Sequence, residues 1–164
     1  KPYEDADQLG KNQPLRGGKM QLYEGGIRVP AVVSWPNRLS PRTVSSPVHI
    51  VDWLPTLCGI AGYNDLKSLK LDGQDIWPLI TGKQKNPSQR TFYWHSNSQW
   101  AIRQGDWKLI INKDKTRTTQ LFDLAADPCE KQDLSKTHPQ ILRQLNQLLE
   151  QFKKNDAREP LPSV

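Results

Sequence analysis

The sequence predicts an α+β chain, and three observations carry that prediction. Four short runs rich in β-branched and aromatic residues follow one another between 91 and 124, separated by turn formers. A long stretch near the end places apolar residues at helical spacing. Ten Gly and thirteen Pro among 164 residues divide the chain into short elements.

Residues 1–26 are polar and glycine-rich and read as an extended loop. Pro30 and Pro36 bracket "AVVSW", an apolar run that suits a strand of five residues, 31–35. Residues 37–47 are a turn-rich connection. In "VHIVDWLPTLCGIAG", Asp52 is a good N-cap and Pro55 falls in the first turn, where its missing N–H costs nothing. Leu54, Leu57, Cys58 and Ala61 follow i, i+3, i+4, i+7, and Gly62 suits a left-handed C-terminal position. This predicts a short buried helix. Residues 63–90 are irregular, with one helical turn at Trp77 to Ile80.

The strands are "TFYWH" (91–95), "QWAIRQ" (99–104), "WKLIIN" (107–112) and "TQLFDL" (119–124). Gly105-Asp106 signals a tight hairpin, and a four-stranded antiparallel meander is the simplest arrangement. Thr137 or His138 caps the final helix, with Pro139 in its first turn. Ile141, Leu142, Leu145, Leu148, Leu149 and Phe152 form one stripe. Burying those side chains on the meander is worth on the order of 10 kcal/mol before entropy.

Composition narrows the function classes. The chain is 35% hydrophobic and 24% charged, with net charge +6 and a pI near 9.4. That favours anionic partners. There is no block of five like charges and no nucleic-acid-binding pattern, so a nucleic-acid partner is disfavoured. Cys58 and Cys129 lie far apart and lack zinc-ligand spacing. No apolar run of 18 residues is present, so no transmembrane segment is expected. Hydrolase nucleophile elbows, Walker loops, dinucleotide fingerprints and glycosidase carboxylate pairs are not found.

One stretch, "PLRGGKMQLYEGGIRVPAVV", holds a lone cation between two glycine pairs. Glycines beside Lys19 let the backbone turn tightly and approach a ligand. A lysine ammonium there is a compact point charge suited to an oxyanion. Spacing alone leaves this open against an ordinary surface lysine in a loop.

The stretch "NQPLRGGKMQLYEGGIRVPAVVSWP" closely resembles a segment of formylglycine-dependent (type I) sulfatases: Asn-x-Pro-Leu-Arg-Gly-x-Lys, then aromatic-Glu-Gly-Gly-x-Arg-x-Pro. "VDWLPTLCGIAG" resembles the family's Asp-x-x-Pro-Thr helix, and "LDGQDIWPLITG" its Asp-Gly-x-Asp segment. "WAIRQGDWKLI" is similar to its C-terminal strand pair. "QLFDLAADPCEKQDLS" is similar to its Asp-Pro-x-Glu turn before the last helix. The pieces occur in the family's order over nearly the whole chain.

The resemblance implies an arylsulfatase-like enzyme of α/β, alkaline-phosphatase-like fold, of which this chain is the C-terminal portion. Residues 1–84 would belong to the catalytic domain, with a strand and a helix that need further neighbours. Residues 85–164 would be the C-terminal subdomain. Lys19 matches the lysine that contacts the substrate sulfate, neutralising charge on it and on its transition state. Glu24, Gly25, Gly26 and Arg28 match positions that look structural, and Arg16 would hold the loop by an ion pair. His95 could donate to a sugar hydroxyl or sulfate, and Trp94 or Trp100 could stack on a sugar ring. Alternating aromatics in a strand also suit plain packing. His49 and His138 read as structural.

The resemblance also implies calcium and a formylglycine made from a Cys/Ser-x-Pro-x-Arg motif. This sequence departs from the pattern: Cys58 precedes Gly-Ile-Ala and Cys129 precedes Glu-Lys-Gln, while Asp5 and Asp7 are no obvious substitute for the calcium carboxylates. The chain is therefore expected to be inactive alone and to bind neither group by itself. Its expected partners are a sulfated small molecule or glycan and the remainder of the catalytic domain. A periplasmic, secreted or lysosomal location follows from the family alone. Other readings stay open: a phosphonate or phosphodiester hydrolase of the same superfamily, or a sulfatase-like remnant assembling with another chain. A further one is an anionic-glycan-binding module using Arg103, Lys108, Lys113, Lys115 and Arg117.

Overall fold

The computed structural model describes residues 12–63, 65–66, 69–84 and 89–156; Asp5 and Asp7 lie outside them. Of these, 12–30 and 89–156 form one compact unit and 31–84 another.

The first unit is built on the expected meander. Strands β1 (Thr91–His95), β2 (Gln99–Gln104), β3 (Trp107–Asn112) and β4 (Thr119–Asp123) pair antiparallel in the order β1-β2-β3-β4. β4 stops one residue short of the expected end, although the Leu124 N–H still donates to the Asp106 carbonyl (2.8 Å), opposite it in the same register. Gly105 takes φ +61° in the β2–β3 turn, a conformation that glycine adopts without steric cost.

The register sorts the strand residues onto two faces. Trp94 pairs with Ala101 and Ala101 with Ile110, so these share one face with Arg103, Lys108 and Phe122. His95 pairs with Trp100, and Ile102 with Leu109, on the other face. The terminal helix covers that second face. It runs Pro139–Lys153, and Leu145 and Leu149 pack with Ile102, Leu109 and Leu121, the three strand residues being wholly buried. The expected stripe is the one used. Pro139 opens the helix, but its N-cap, His138, makes no side-chain capping bond. Instead the His138 ring lies 2.9 Å from the Thr137 hydroxyl through Nδ1.

The first face is covered by the glycine-lysine segment. Leu22, Tyr23 and Ile27 pack on Ala101, Ile110, Phe122 and Leu124. Sequence reading grouped this segment with residues 1–84; its packing lies with the sheet.

The second unit departs from expectation in two ways. Residues 31–35 are exposed and form no strand, because no described strand offers their N–H and C=O groups a partner. A helix (Trp53–Ile60) forms where predicted, and Gly62 takes φ +78°. Its apolar stripe, however, is not buried: Leu54 and Leu57 are 53% and 57% exposed, while Pro55 and Thr56 are buried. Asp52 makes no side-chain cap to this helix. Its buried carboxylate accepts from the His49 N–H (2.7 Å) and the Gln74 N–H (3.0 Å). Thr56 Oγ1 donates to the Asp52 carbonyl (2.6 Å) and accepts from the Ile76 N–H (2.9 Å). The Asp-x-x-Pro-Thr and Asp-Gly-x-Asp segments are thus two halves of one polar clamp. The short helix Trp77–Ile80 follows the second half as expected.

Candidate active-site loop and its anchor

Lys19 stands exposed at a turn whose following residue, Met20, has φ +74° and is 67% exposed. Local bonds close the loop beneath it. The Gln21 N–H donates to the Gly18 carbonyl (3.0 Å), the Gly18 N–H to Gln21 Oε1 (3.0 Å), and the Gly25 N–H to the Arg16 carbonyl (2.7 Å). The second glycine pair lies where the chain returns against the first. A Cβ on Gly25 would sit 2.6 Å from the carbonyl oxygens of both Arg16 and Gly17. One on Gly26 would strike the carbonyls of Gln21 and Gly18. These glycines admit backbone to backbone rather than backbone to ligand.

Glu24 begins a single helical turn, Glu24–Ile27, closed by the Arg28 N–H on the Glu24 carbonyl (2.8 Å); the Arg28 side chain is exposed. The Glu24 carboxylate is buried, with Oε1 2.9 Å from Lys108 Nζ and Oε2 3.9 Å from Arg103 Nη1. Lys108 Nζ is also 2.9 Å from Glu130 Oε1. Glu130 Oε2 accepts the Glu24 N–H at 2.6 Å. Lys108 and Glu130 are wholly buried. Two carboxylates and two cations balance, as burial demands. Burial pushes the Glu130 carboxyl above its ordinary range, against the opposing pull of Lys108.

Arg16 binds the same residue from the other side of the loop. Its Nη1 donates to the Glu130 carbonyl (2.9 Å), Nη2 donates to the Tyr23 hydroxyl (3.2 Å), and the guanidinium lies 4.0 Å from the Tyr23 ring centroid. Among the described residues Arg16 makes these hydrogen bonds and a cation–π contact rather than the expected ion pair. The Tyr23 hydroxyl donates to Gln120 Oε1, and the Leu22 N–H donates to Gln99 Oε1 (2.7 Å). Burial raises the Tyr23 phenol above its usual value, although Arg16 pulls it down.

His95 and Trp100 do not join this loop. They lie on the sheet face opposite the one that Leu22 and Tyr23 cover. Trp100 packs in the helix-side cluster, with Lys113 Nζ and Lys153 Nζ each 4.3 Å from its ring centroid and the His95 ring at 6.3 Å. His95 Nδ1 is 3.6 Å from Asp156 Oδ2. Trp94 lies on the loop side, packed against the Leu22–Phe122 cluster and stacked with Phe92.

The basic set named for a glycan module is also dispersed. Lys108 is buried, Arg103 donates to the Gly105 carbonyl (2.9 Å), and Lys113 donates to the Ser96 carbonyl. Lys115 and Arg117 are exposed. Sequence reading missed Glu130 and took Lys108 for a surface cation. The signal for Glu130 was present, since it is the acid of the Asp-Pro-x-Glu turn.

The described residues do not fit the calcium and formylglycine implied by resemblance. Among the described residues no group of three or more His, Cys, Asp or Glu converges to hold a metal ion. Cys58 and Cys129 lack the modification motif and are both partly buried.

The motif order seen in the sequence is thus carried on a lysine turn packed on one face of a helix-backed meander. The chain belongs to the family described as N-sulphoglucosamine sulphohydrolase, C-terminal, which it matches over residues 18–155. It is 30% identical to an N-acetylgalactosamine-6-O-sulfatase of Bacteroides thetaiotaomicron, covering 90% of this chain and 32% of that protein. It is 32% identical to human arylsulfatase A, covering 82% of this chain and 32% of the relative. The crystal structure of Ps i-CgsB superposes with a TM-score of 0.77 at 31% identity, over 90% of this chain and 34% of that one. The same protein in complex with k-i-k-neocarrahexaose gives 0.76 at 29% identity, with the same shares of the two chains covered. The chain thus spans about a third of the length of the relatives it matches. Among the described residues no helix is long and apolar enough to cross a membrane.

Proposed function

We propose that this chain serves a sulfatase that hydrolyses sulfate esters of carbohydrates, and that Lys19 contacts the sulfate. One observation carries the reading. An exposed lysine stands at the tip of a loop whose two stems are bonded into a buried, charge-balanced cluster. A surface lysine with no task does not call for such support. The carbohydrate class is drawn from relatives named for a sulfated amino sugar and a structure holding a carrageenan oligosaccharide.

In sulfate-ester hydrolysis the bond from sulfur to the alcohol oxygen breaks and a new S–O bond forms. Lys19 makes neither bond. Its ammonium neutralises the sulfate oxygens and so lowers the repulsion met by an incoming nucleophile. A fixed cation also spares the reorganisation that a mobile side chain would require. Among the described residues no group of three or more His, Cys, Asp or Glu gathers at a metal site, and neither cysteine carries the modification motif, so no step is assigned to a metal or a formylglycine.

The test is release of inorganic sulfate by the full-length protein, offered N-acetylgalactosamine 6-sulfate, sulfated galactan oligosaccharides and 4-nitrophenyl sulfate. Turnover of a sulfated saccharide is the expected outcome. Release from none of the three overturns the sulfatase reading; release from the aryl ester alone overturns the substrate class.

A further inference from the structure

We infer that Glu130 is a positioning residue for Lys19, acting through both stems of the lysine loop; this rests on the sulfate-contact reading of Lys19. Glu130 is distant from Lys19 in sequence, in the turn before the last helix, yet both stems end on it. Upstream of Lys19, the Arg16 guanidinium donates to the Glu130 carbonyl (2.9 Å). Downstream, the Glu24 N–H donates to the Glu130 carboxylate (2.6 Å). The stems are joined to each other by the Gly25 N–H on the Arg16 carbonyl (2.7 Å). Lys19 therefore sits on a closed loop with two anchors on one residue.

Three features mark Glu130 as more than a filler of space. It is wholly buried, where an unpaired carboxylate is strongly disfavoured. Its backbone takes φ +55°, a conformation uncommon for a residue with a side chain. Its charge is answered by Lys108, which also answers Glu24, so the anchor and the loop share one counter-ion. Arg103, 3.9 Å from Glu24, completes the balance. Displacement of this anchor moves the ammonium. Misplacement of a contacting group by about 1 Å can cost on the order of a hundredfold in rate.

The experiment is a double-mutant cycle on sulfate-ester turnover in the full-length protein, using the substrate it hydrolyses fastest among the three above. Glu130→Gln keeps an acceptor for the Glu24 N–H but removes the charge that faces Lys108. Arg16→Lys leaves the buried carboxylates and Lys108 in place and removes the guanidinium that bonds the Glu130 carbonyl and the Tyr23 hydroxyl, so it serves if Glu130→Gln fails to fold. Each is made with Lys19 and with Lys19→Ala, and rates are normalised to folded protein by circular dichroism. The expected result is a loss of at least tenfold in kcat with Lys19 present and less than twofold further loss in the Lys19→Ala background. That non-additivity is what action through Lys19 requires. An equal loss in both backgrounds, or normal turnover in folded variants, overturns the inference. If Lys19→Ala alone is harmful while the anchor variants are not, only the positioning inference fails. If Lys19→Ala is harmless, both readings fall.

Discussion

Lys108 shows how a single residue's meaning depends on its register. In sequence it lies in "WKLIIN" and reads as one of several strand cations open to solvent. In the sheet it stands between Arg103 and Phe122, on the face that the lysine loop covers, and is wholly buried against Glu24 and Glu130. The burial was not legible because alternation assigns a residue to a face without saying what covers that face. Removing the ammonium strands two buried carboxylates. Lys108→Met is therefore expected to destabilise the first unit by about 3–5 kcal/mol, the range for breaking a buried ion pair from one side. Urea unfolding followed by tryptophan fluorescence measures it, and a loss below about 1 kcal/mol contradicts the buried-cluster account. Glycine reading went differently at Gly25 and Gly26. The resemblance set them down only as structural positions; what a Cβ there would strike, the chain's own carbonyls, is a tertiary feature.

At the level of elements, the meander and terminal helix were legible almost to the residue, since alternation, the Gly105-Asp106 turn and the leucine stripe agree with one another. Residues 31–35 were read as a strand and the stripe Leu54, Leu57 as the buried face of a helix, both needing further neighbours. They are exposed because nothing described in this chain lies over them. The junction between β4 and the last helix depends on Asp133, whose Oδ1 accepts from the Leu121 N–H (3.1 Å) and the Ser135 N–H (2.9 Å). Burial opposes its ionisation, but those backbone donors, the Ser135 hydroxyl and Lys136 outweigh it, and its pKa is lowered. A carboxylate with a depressed folded-state pKa contributes stability that is present above its ordinary value of 3.8 and lost as pH falls through the lowered one. Thermal unfolding of the chain should accordingly lose midpoint on acidification below about pH 4, and Asp133→Asn should make that loss shallower. Because Asp133 is exposed, the effect is screened and small. An unchanged acid slope in the variant would remove Asp133 from the account.

At the scale of the whole molecule, the chain order misleads about what belongs together. Residues 12–30 precede the exposed apolar segment, yet they pack with the sheet that begins at Thr91. Limited chymotrypsin digestion of this chain should cut first near exposed Trp35, Leu54 and Leu57. The piece carrying Leu22 to Ile27 should then co-elute with residues 89–156 on native gel filtration. Separation of the two pieces would show that the loop is not an integral part of the sheet's core. The candidate site was legible only in part. Lys19, Glu24 and the glycine pairs came from one ordered motif; Glu130 stands in the Asp-Pro-x-Glu turn, but its bond to the loop and the burial of Lys108 are tertiary and no local pattern encodes them. His95 and Trp100 were named from aromatic clustering, which does not distinguish the two faces of a sheet.

The central claim is that the loop exists to hold one ammonium against a sulfate ester. Its most direct test is the kcat of Lys19→Ala in the full-length protein on the sulfate ester it hydrolyses fastest. The account predicts a fall of roughly a hundredfold or more, the scale of losing one charge-stabilising contact in a transition state, with the thermal midpoint unchanged. Turnover within a factor of two of the unmodified protein would contradict it.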